Sequence, residues 1–173
     1  MKPKRIIVSV SNDLSIDQRV DRICNSLCEW DYEVLLVGRK LKLSKNLDER
    51  NYKTKRFKLL FEKGVLFYTC LNIRLFFYLL FSKADIFLSN DLDTLPANAL
   101  ASFFRNKKLV YDSHELFTEV PELENKKFKK KIWGFLEKIS FKRIDKAYTV
   151  CESIADFYFK KYGIKMSVVR NLP

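Results

Sequence analysis

The sequence predicts an α/β protein with a Rossmann-like, doubly wound, mainly parallel sheet of six or seven strands. Three observations lead there. Short β-branched apolar runs alternate with stretches of helical periodicity along the whole chain. Several of these runs are unbroken, which is how strands buried on both faces read. Polar clusters begin where the runs stop, at the edge where a parallel sheet opens onto its ligand crevice. With 173 residues, 47% hydrophobic and 31% charged, the chain suits a single domain able to bury a core without disulfides or metals.

Arg5 to Val10 (Arg-Ile-Ile-Val-Ser-Val) is the first strand, with Ser11-Asn12-Asp13-Leu14 as the turn after it. Ser15 and Gln18 have capping-box spacing and open a helix with apolar positions at Ile16, Val20, Ile23, Leu27 and Trp30. Glu33 to Val37 is the second strand, closed by Gly38, and the three elements form a right-handed βαβ unit. Residues 39 to 53 are polar and irregular, the stretch expected to be most mobile, and Thr54 to Phe61 is the third strand. Val65 to Phe81 is apolar enough to raise the question of a membrane span. It is short for one, and Asn72 and Arg74 at its middle would be costly in lipid. A helix buried between two strands is expected instead, with its aromatic excess leaving open a contact with a membrane interface. Asp85 to Ser89 is the fourth strand, followed by a helix capped by Asp93 with Pro96 in its first turn. Lys108 to Tyr111, Lys146 to Val150 and Met166 to Val169 complete the strands. A helix starting at Glu152 or Ser153 runs through Ile154, Phe157, Tyr158 and Tyr162 to Gly163.

Leu109 to Glu122 is the most informative stretch. An apolar run stops at Asp112, and a polar cluster follows that contains the only histidine, His114. Asp112, His114, Glu115 and Glu119 would be costly to bury unpaired, so they are expected at the lip of a cleft. Asp91 has no capping duty and is either a site residue or a plain turn residue. Arg19 and Arg22 stand in the first turn of a helix, where the dipole disfavours cations. Either they are a solvated pair neutralised by Asp17 and Asp21, or Arg19 faces an anionic ligand across the crevice. No Gly-x-Gly-x-x-Gly occurs, which argues against a nicotinamide or flavin dehydrogenase. Cys24, Cys28, Cys70 and Cys151 include no Cys-x-x-Cys pair, so reduced, mostly buried thiols in the cytosol are expected rather than a zinc site.

The net charge is +12, which draws the chain to polyanions without choosing among nucleic acid, anionic membrane and phosphorylated substrates. The densest positive run, Lys126-Lys127-Phe128-Lys129-Lys130-Lys131, precedes an amphipathic helix through Ile132, Phe135, Leu136 and Ile139. Such a run is commonly a solvated helix end. Here Lys127, Lys129, Lys130 and Lys131, mixed with Phe128 and Trp133, also suit an anionic membrane surface. RNA would attract the same lysines, but no RNA-binding sheet motif is visible.

Five blocks in order resemble one family. They are Val8-Ser-Val-Ser-Asn-Asp with Asp17-Gln-Arg-Val, Ala84-Asp-Ile-Phe-Leu-Ser-Asn-Asp-Leu-Asp-Thr-Leu-Pro, Tyr111-Asp-Ser-His-Glu-Leu-Phe-Thr-Glu-Val-Pro-Glu, Tyr148-Thr-Val-Cys-Glu-Ser-Ile-Ala and Val168-Val-Arg-Asn-Leu-Pro. Together they resemble the amino-terminal half of bacterial family 4 glycosyltransferases, retaining enzymes of the two-domain B-type fold. The resemblance implies that residues 1 to 173 are one Rossmann-like domain that binds the sugar acceptor. It places the donor-binding carboxy-terminal domain outside this chain, leaving the chain inactive by itself. Its co-substrate is a nucleotide-sugar donor, with no metal and no other cofactor. The acceptor is a glycan or lipid-linked molecule in cell-surface polysaccharide synthesis, at the cytoplasmic membrane face, with no nucleic acid partner.

By position, the resemblance puts His114 beside the transferred sugar and Asn12 and Asp13 in the loop bordering donor phosphate and acceptor. Many relatives have a glycine-rich loop there, and this chain does not. Asp91 and Glu115 fall near the acceptor hydroxyls and Glu119 at the cleft rim; Ser113 and Arg19 are further substrate-binding candidates. The alternative for His114 is a hydrogen-bonded residue fixing the loop after its strand. The reading from a different class is a non-catalytic basic Rossmann-like module that binds nucleic acid or a phosphorylated partner.

Overall fold

The computed structural model describes residues 3–120 and 126–170. The end of the histidine-containing block (Pro121-Glu122) and the closing Asn171-Leu172-Pro173 lie outside the described residues. In chain order the elements are β1 (Arg5–Asp13), α1 (Gln18–Glu29), β2 (Glu33–Arg39), β3 (Lys53–Phe57), α2 (Gly64–Phe81), β4 (Ile86–Asn90) and α3 (Leu95–Arg105). Then follow β5 (Lys108–Ser113), a 3-10 turn (Phe117–Glu119), α4 (Lys127–Phe141), β6 (Lys146–Thr149), α5 (Glu152–Tyr162) and β7 (Ser167–Val168). The seven strands form one sheet in the order β3-β2-β1-β4-β5-β6-β7, and every pairing is parallel. This is the doubly wound sheet expected from the sequence.

Successive side chains of a strand point to opposite faces, so each continuous apolar run feeds two cores. Ile6, Val8, Val34, Leu36 and Leu88 pack with Val20 and Cys24 of α1 on one face. Ile7, Val37, Phe87, Leu109 and Tyr111 pack with α2, α3 and the aromatic cluster of α4 and α5 on the other. Glu137 of α4 is fully buried there. Its carboxylate accepts from Tyr158 Oη (3.2 Å), Lys161 Nζ (2.7 Å) and Tyr162 Oη (2.6 Å), so the charge is compensated and ties α4 to α5.

Several boundaries differ from the sequence reading. β1 runs on to Asp13 through a register shift after Ser9, re-pairing Asp13 with Arg39. Residues 11–13 are therefore strand rather than turn. The N-cap of α1 is Asp17, whose Oδ1 accepts from Val20 N at 3.1 Å, and not Ser15. Ser15 lies in the preceding turn, where its N–H donates to Asp13 Oδ1. β3 stops at Phe57. Residues 40–52 form no helix or strand, yet polar side chains pin them: Arg50 Nη2 donates to Leu14 O (2.8 Å), and Tyr52 Oη donates to Asp21.

α2 is buried along one stripe only, at Phe67, Leu71, Leu75 and Leu79. Val65, Leu66, Ile73, Phe77 and Phe81 are exposed, so the helix is half open rather than buried between strands. By length and composition α2 could cross a membrane, but both of its central polar side chains have partners inside the domain. Asn72 Nδ2 donates to Asp93 O (2.7 Å), and its Oδ1 accepts from Ala97 N (3.1 Å). Arg74 Nη1 donates to Lys58 O at 2.6 Å.

α4 reverses the expected amphipathic orientation. Phe128, Ile132, Phe135 and Ile139 are exposed, while Glu137, Ser140 and Phe141 are buried. The ring contacts of Trp133 and the buried carboxylate of Glu137 turn the helix. Trp133 stacks edge-on against Tyr68 (5.2 Å) and Phe117 (4.9 Å) and so points into the domain.

Gly38 is where β2 lets the end of β1 come close. A methyl group there would lie 2.4 Å from Leu14 Cδ2, 2.9 Å from Asn12 O and 3.0 Å from Val10 Cγ2. Two of these neighbours belong to the strand end that carries Asn12, and the carbonyl cannot rotate aside. Gly38→Ala is therefore expected to destabilise the domain by about 1–3 kcal/mol. A urea melt with a lowered midpoint and unchanged slope would read this out; an unchanged midpoint would refute it.

Candidate functional site

β1 and β4 are neighbours in the sheet although β2 and β3 separate them in the chain. At such a reversal the loops leaving the two strands diverge to opposite sides and open a crevice at the carboxyl edge. A cavity of about 440 Å³ occupies it, lined by Ser11, Asn12, Asp91, Asp93 and His114 together with Arg39, Lys63 and Tyr68. A smaller recess of about 260 Å³ continues it toward Arg19 and Asp17. The polar ends of the first, fourth and fifth strands thus share one rim.

His114 follows β5 and is held by Asp91, which follows β4. Its Nδ1 lies 2.7 Å from Asp91 Oδ2, and its backbone N–H reaches Asp91 Oδ1 at 3.4 Å. Arg19 Nη1 lies 3.4 Å from the same Nδ1. One nitrogen cannot donate to a carboxylate and accept from a guanidinium at once, so the shorter contact assigns Nδ1–H to Asp91. The hydrogen bond to Asp91 holds the His114 pKa above the ordinary histidine value, with burial opposing. Nε2 makes no hydrogen bond among the described residues and remains for a ligand in the cavity. Asp91 itself has φ +60°, a left-handed conformation that Asp tolerates better than most residues but that still strains the chain. Its backbone N–H donates to Asp112 O at 2.8 Å, which fixes the strained turn against β5.

Asp93 was expected to cap α3. Thr94 occupies the N-cap instead, with no side-chain capping bond, and the Asp93 carboxyl turns into the cavity. Ser11 Oγ donates to its Oδ2, while Oδ1 has no partner among the described residues. Burial, reinforced by the nearby Asp91 charge, raises its pKa from 3.8 to about 7. A carboxyl poised near neutrality can exchange a proton with a hydroxyl placed beside it.

Arg19 lines the smaller recess and is neutralised by an acid other than Asp17 and Asp21. It pairs with Asp112, whose side chain is fully buried. Burial pushes Asp112 up to about 6, and the Arg19 charge holds it from rising further. The guanidinium thus offsets a buried acid beneath His114. Asn12 Nδ2 donates to Asp17 Oδ2 at 3.1 Å while lining the cavity, and Glu115 lines it from the β5 side.

The remaining predicted residues lie away from this cavity. Asp13 is buried on the far side of β1, accepting from Ser44 Oγ. Burial works against its ionised form, yet the bonds from Ser44 and Ser15 bring its pKa below the ordinary value. Ser113 is buried, its Oγ donating to Glu115 O at 2.9 Å. Glu119 pairs with Lys130 Nζ at 2.6 Å on the surface. Lys127, Lys129 and Lys131 are exposed. Asp93, Ser11, Arg39 and Tyr68 were missed; the Asp91-Leu92-Asp93 spacing at a strand end was the available signal for the first. Among the described residues no group of three His, Cys, Asp or Glu is placed to hold a metal ion.

The pKa shifts have a definite sign for stability. Asp93 is raised from 3.8 to about 7, so its protonated form favours the fold and stability falls as pH rises from about 4 through 7. His114 acts in the same direction, its contribution present below its unfolded pKa and lost as pH rises through the raised folded value. Asp93→Asn removes the first component. Its stability relative to wild type should improve by about 2–3 kcal/mol between pH 5 and pH 8. Parallel pH profiles in thermal or urea melts would show that Asp93 is not held neutral.

Comparison with known proteins gives the following. The family model described as Glycosyltransferase Family 4 matches residues 16–172. No curated protein matches the chain. Among solved structures, sucrose-phosphate synthase from Thermosynechococcus elongatus aligns with a TM-score of 0.63 and 12% identity over 98% of this chain and 48% of its own. A glycosyltransferase from Rickettsia africae ESF-5 aligns at 0.61 and 16% identity, over 99% and 44%. MurG from Acinetobacter baumannii aligns at 0.60 and 9% identity, over 98% and 45%. The chain spans less than half the length of each of these three, and at such identities the likeness is one of fold. The extent of the family match is decisive, and the chain belongs to Glycosyltransferase Family 4.

Proposed function

We propose that this chain is the acceptor-binding half of a retaining glycosyltransferase. The enzyme moves a sugar from a nucleotide-sugar donor to a glycan or lipid-linked acceptor in cell-surface polysaccharide synthesis. The observation that carries this reading is the meeting of the β1, β4 and β5 ends around the cavity faced by His114. The donor is held mainly by a second Rossmann-like domain beyond these 173 residues, and the cavity is the acceptor side of the cleft between the two.

In this reading His114 Nε2 hydrogen-bonds the transferred sugar, and the imidazolium stabilised by Asp91 offsets the negative charge developing on the leaving phosphate. Asp91 is the positioning residue. Asp93 receives an acceptor hydroxyl, and its near-neutral pKa suits it to exchange that hydroxyl's proton. Arg39 and Lys63 add positive charge to the same cavity, which suits a phosphate-bearing ligand. No metal and no organic cofactor take part.

The same reading places the protein at the cytoplasmic face of a membrane. Lys127, Lys129 and Lys131 flank an outward apolar row, Phe128, Ile132, Phe135 and Ile139, which supports contact with anionic lipid. Lys130 contributes less, being paired with Glu119, and Trp133 faces inward.

His114→Ala, placed in an enzyme that joins this chain to its donor-binding domain, is expected to lower kcat/KM at least about 100-fold. Circular dichroism should stay native. Near-normal turnover would remove His114 from the mechanism. Reversing the charge of Lys129 and Lys131 should weaken co-sedimentation with phosphatidylserine or phosphatidylglycerol vesicles; sedimentation equal to wild type would refute the membrane contact.

A further inference from the structure

A second cavity, of about 600 Å³, opens between α2 and α4. It shares Gly64, Tyr68, Glu115 and Phe117 with the cavity faced by His114, so the two adjoin at these residues. Its chemistry is different. Val65, Tyr68, Phe117, Ile132, Trp133 and Leu136 supply aliphatic and aromatic walls. Two of its uncharged polar side chains are already engaged. Thr69 Oγ1 donates to Val65 O at 3.0 Å, and the Asn72 amide is bonded through both its nitrogen and its oxygen. A glycan entering here would give up hydrogen bonds to water with little offered in return, whereas a hydrocarbon chain would lose only unfavourable hydration.

Two further features specify the occupant. Val65 and Ile132 belong both to the groove wall and to the exposed apolar rows of α2 and α4, 59% and 41% accessible respectively. The groove thus opens onto an apolar outer surface instead of a polar rim. Lys126 and Lys129 line the same groove and complement an anion there.

Taking the sugar-transfer reading as its basis, we propose that the groove between α2 and α4 holds the hydrocarbon chain of a lipid-linked, phosphate-bearing acceptor. The acyl or isoprenoid chain lies against Trp133 and Phe117, the phosphate lies near Lys126 and Lys129, and the acceptor sugar reaches the cavity beside Asp93 and His114. The geometry therefore selects a lipid-linked acceptor over a free glycan. It also gives the outward apolar rows a use, since the acceptor reaches the groove from the membrane on which they rest.

The test is direct binding to the 173-residue chain, read from Trp133 emission in a Trp30→Phe background and using hexyl, octyl and decyl phosphate below their micellar concentrations. Saturable binding is expected, tightening with chain length by up to about fourfold per methylene, with no response to inorganic phosphate. Val65→Asp, on the exposed edge of the groove, should weaken decyl phosphate at least tenfold. Lys129→Glu should abolish the preference for decyl phosphate over an uncharged decyl glycoside. Four outcomes would each overturn the assignment: affinity independent of chain length, the same response to inorganic phosphate, full affinity in Val65→Asp, or a Trp133 response to a soluble oligosaccharide but not to decyl phosphate. Because binding is measured without turnover, its failure beside a normal His114 requirement would strike the lipid assignment alone. Loss of the His114 requirement would instead strike the sugar-transfer reading.

Discussion

The seam between β1 and β4 is tied at its carboxyl end by side chains, and the position of the site depends on that tie. Ser9 Oγ donates to Asn98 Oδ1, Asn98 Nδ2 to Thr94 O, and Thr94 Oγ1 meets Ser89 Oγ at 2.7 Å; Asn90 Nδ2 reaches back to Ser9 O. All five residues are buried. Each bond is worth little by itself, but leaving any of these groups unpaired in the core would be costly, so the arrangement is held as a unit. It fixes the start of α3 relative to both strands. It therefore fixes where Asp91 and Asp93 emerge.

Three carboxylates leave this seam and its neighbour β5, and the fold gives each a different state. Asp91 is paired with the His114 imidazole. Asp112 is buried but compensated by Arg19. Asp93 is buried with only a serine hydroxyl on one oxygen. The same side chain is thus an anchor, a counter-ion and a near-neutral acid at the ends of two neighbouring strands, and environment alone makes the difference. The strained backbone at Asp91 belongs to the same device, because a left-handed residue at the strand end turns its carboxylate toward β5.

The helices on this face of the sheet are amphipathic in an unusual sense. α2 buries one stripe and exposes another that is equally apolar. α4 buries a glutamate and exposes phenylalanine and isoleucine. The domain's own core needs only one side of each helix. The apolar groups left outside lie next to a groove that shares wall residues with the polar cavity, so the outer surface borders the candidate site.

Much of the fold was legible because continuous β-branched runs, with 3.6-residue periodicity between them, admit few arrangements other than a parallel sheet. The lone histidine after an apolar run pointed to the strand edge that holds the candidate site for the same reason, since a parallel sheet leaves every carboxyl end on one edge. Local pattern could not decide which of several adjacent polar groups does what. It puts Ser15 at the cap of α1, Asp93 at the cap of α3 and both Asn12 and Asp13 at the crevice, where the structure has Asp17, Thr94 and Asn12 without Asp13. Distant partners settle several of these roles: Ser11 for Asp93, Ser44 for Asp13 and Asp112 for Arg19. The outward turn of α4 was likewise set by the partners of Trp133 and Glu137 on α2, the 3-10 turn and α5. By itself the sequence determined the sheet, its order of secondary structure and the edge where the chemistry gathers, because those follow from periodicity. Only the tertiary structure decided which carboxyl stays near neutral and which helix face meets solvent, because desolvation and charge pairing depend on neighbours that the chain brings together from far apart.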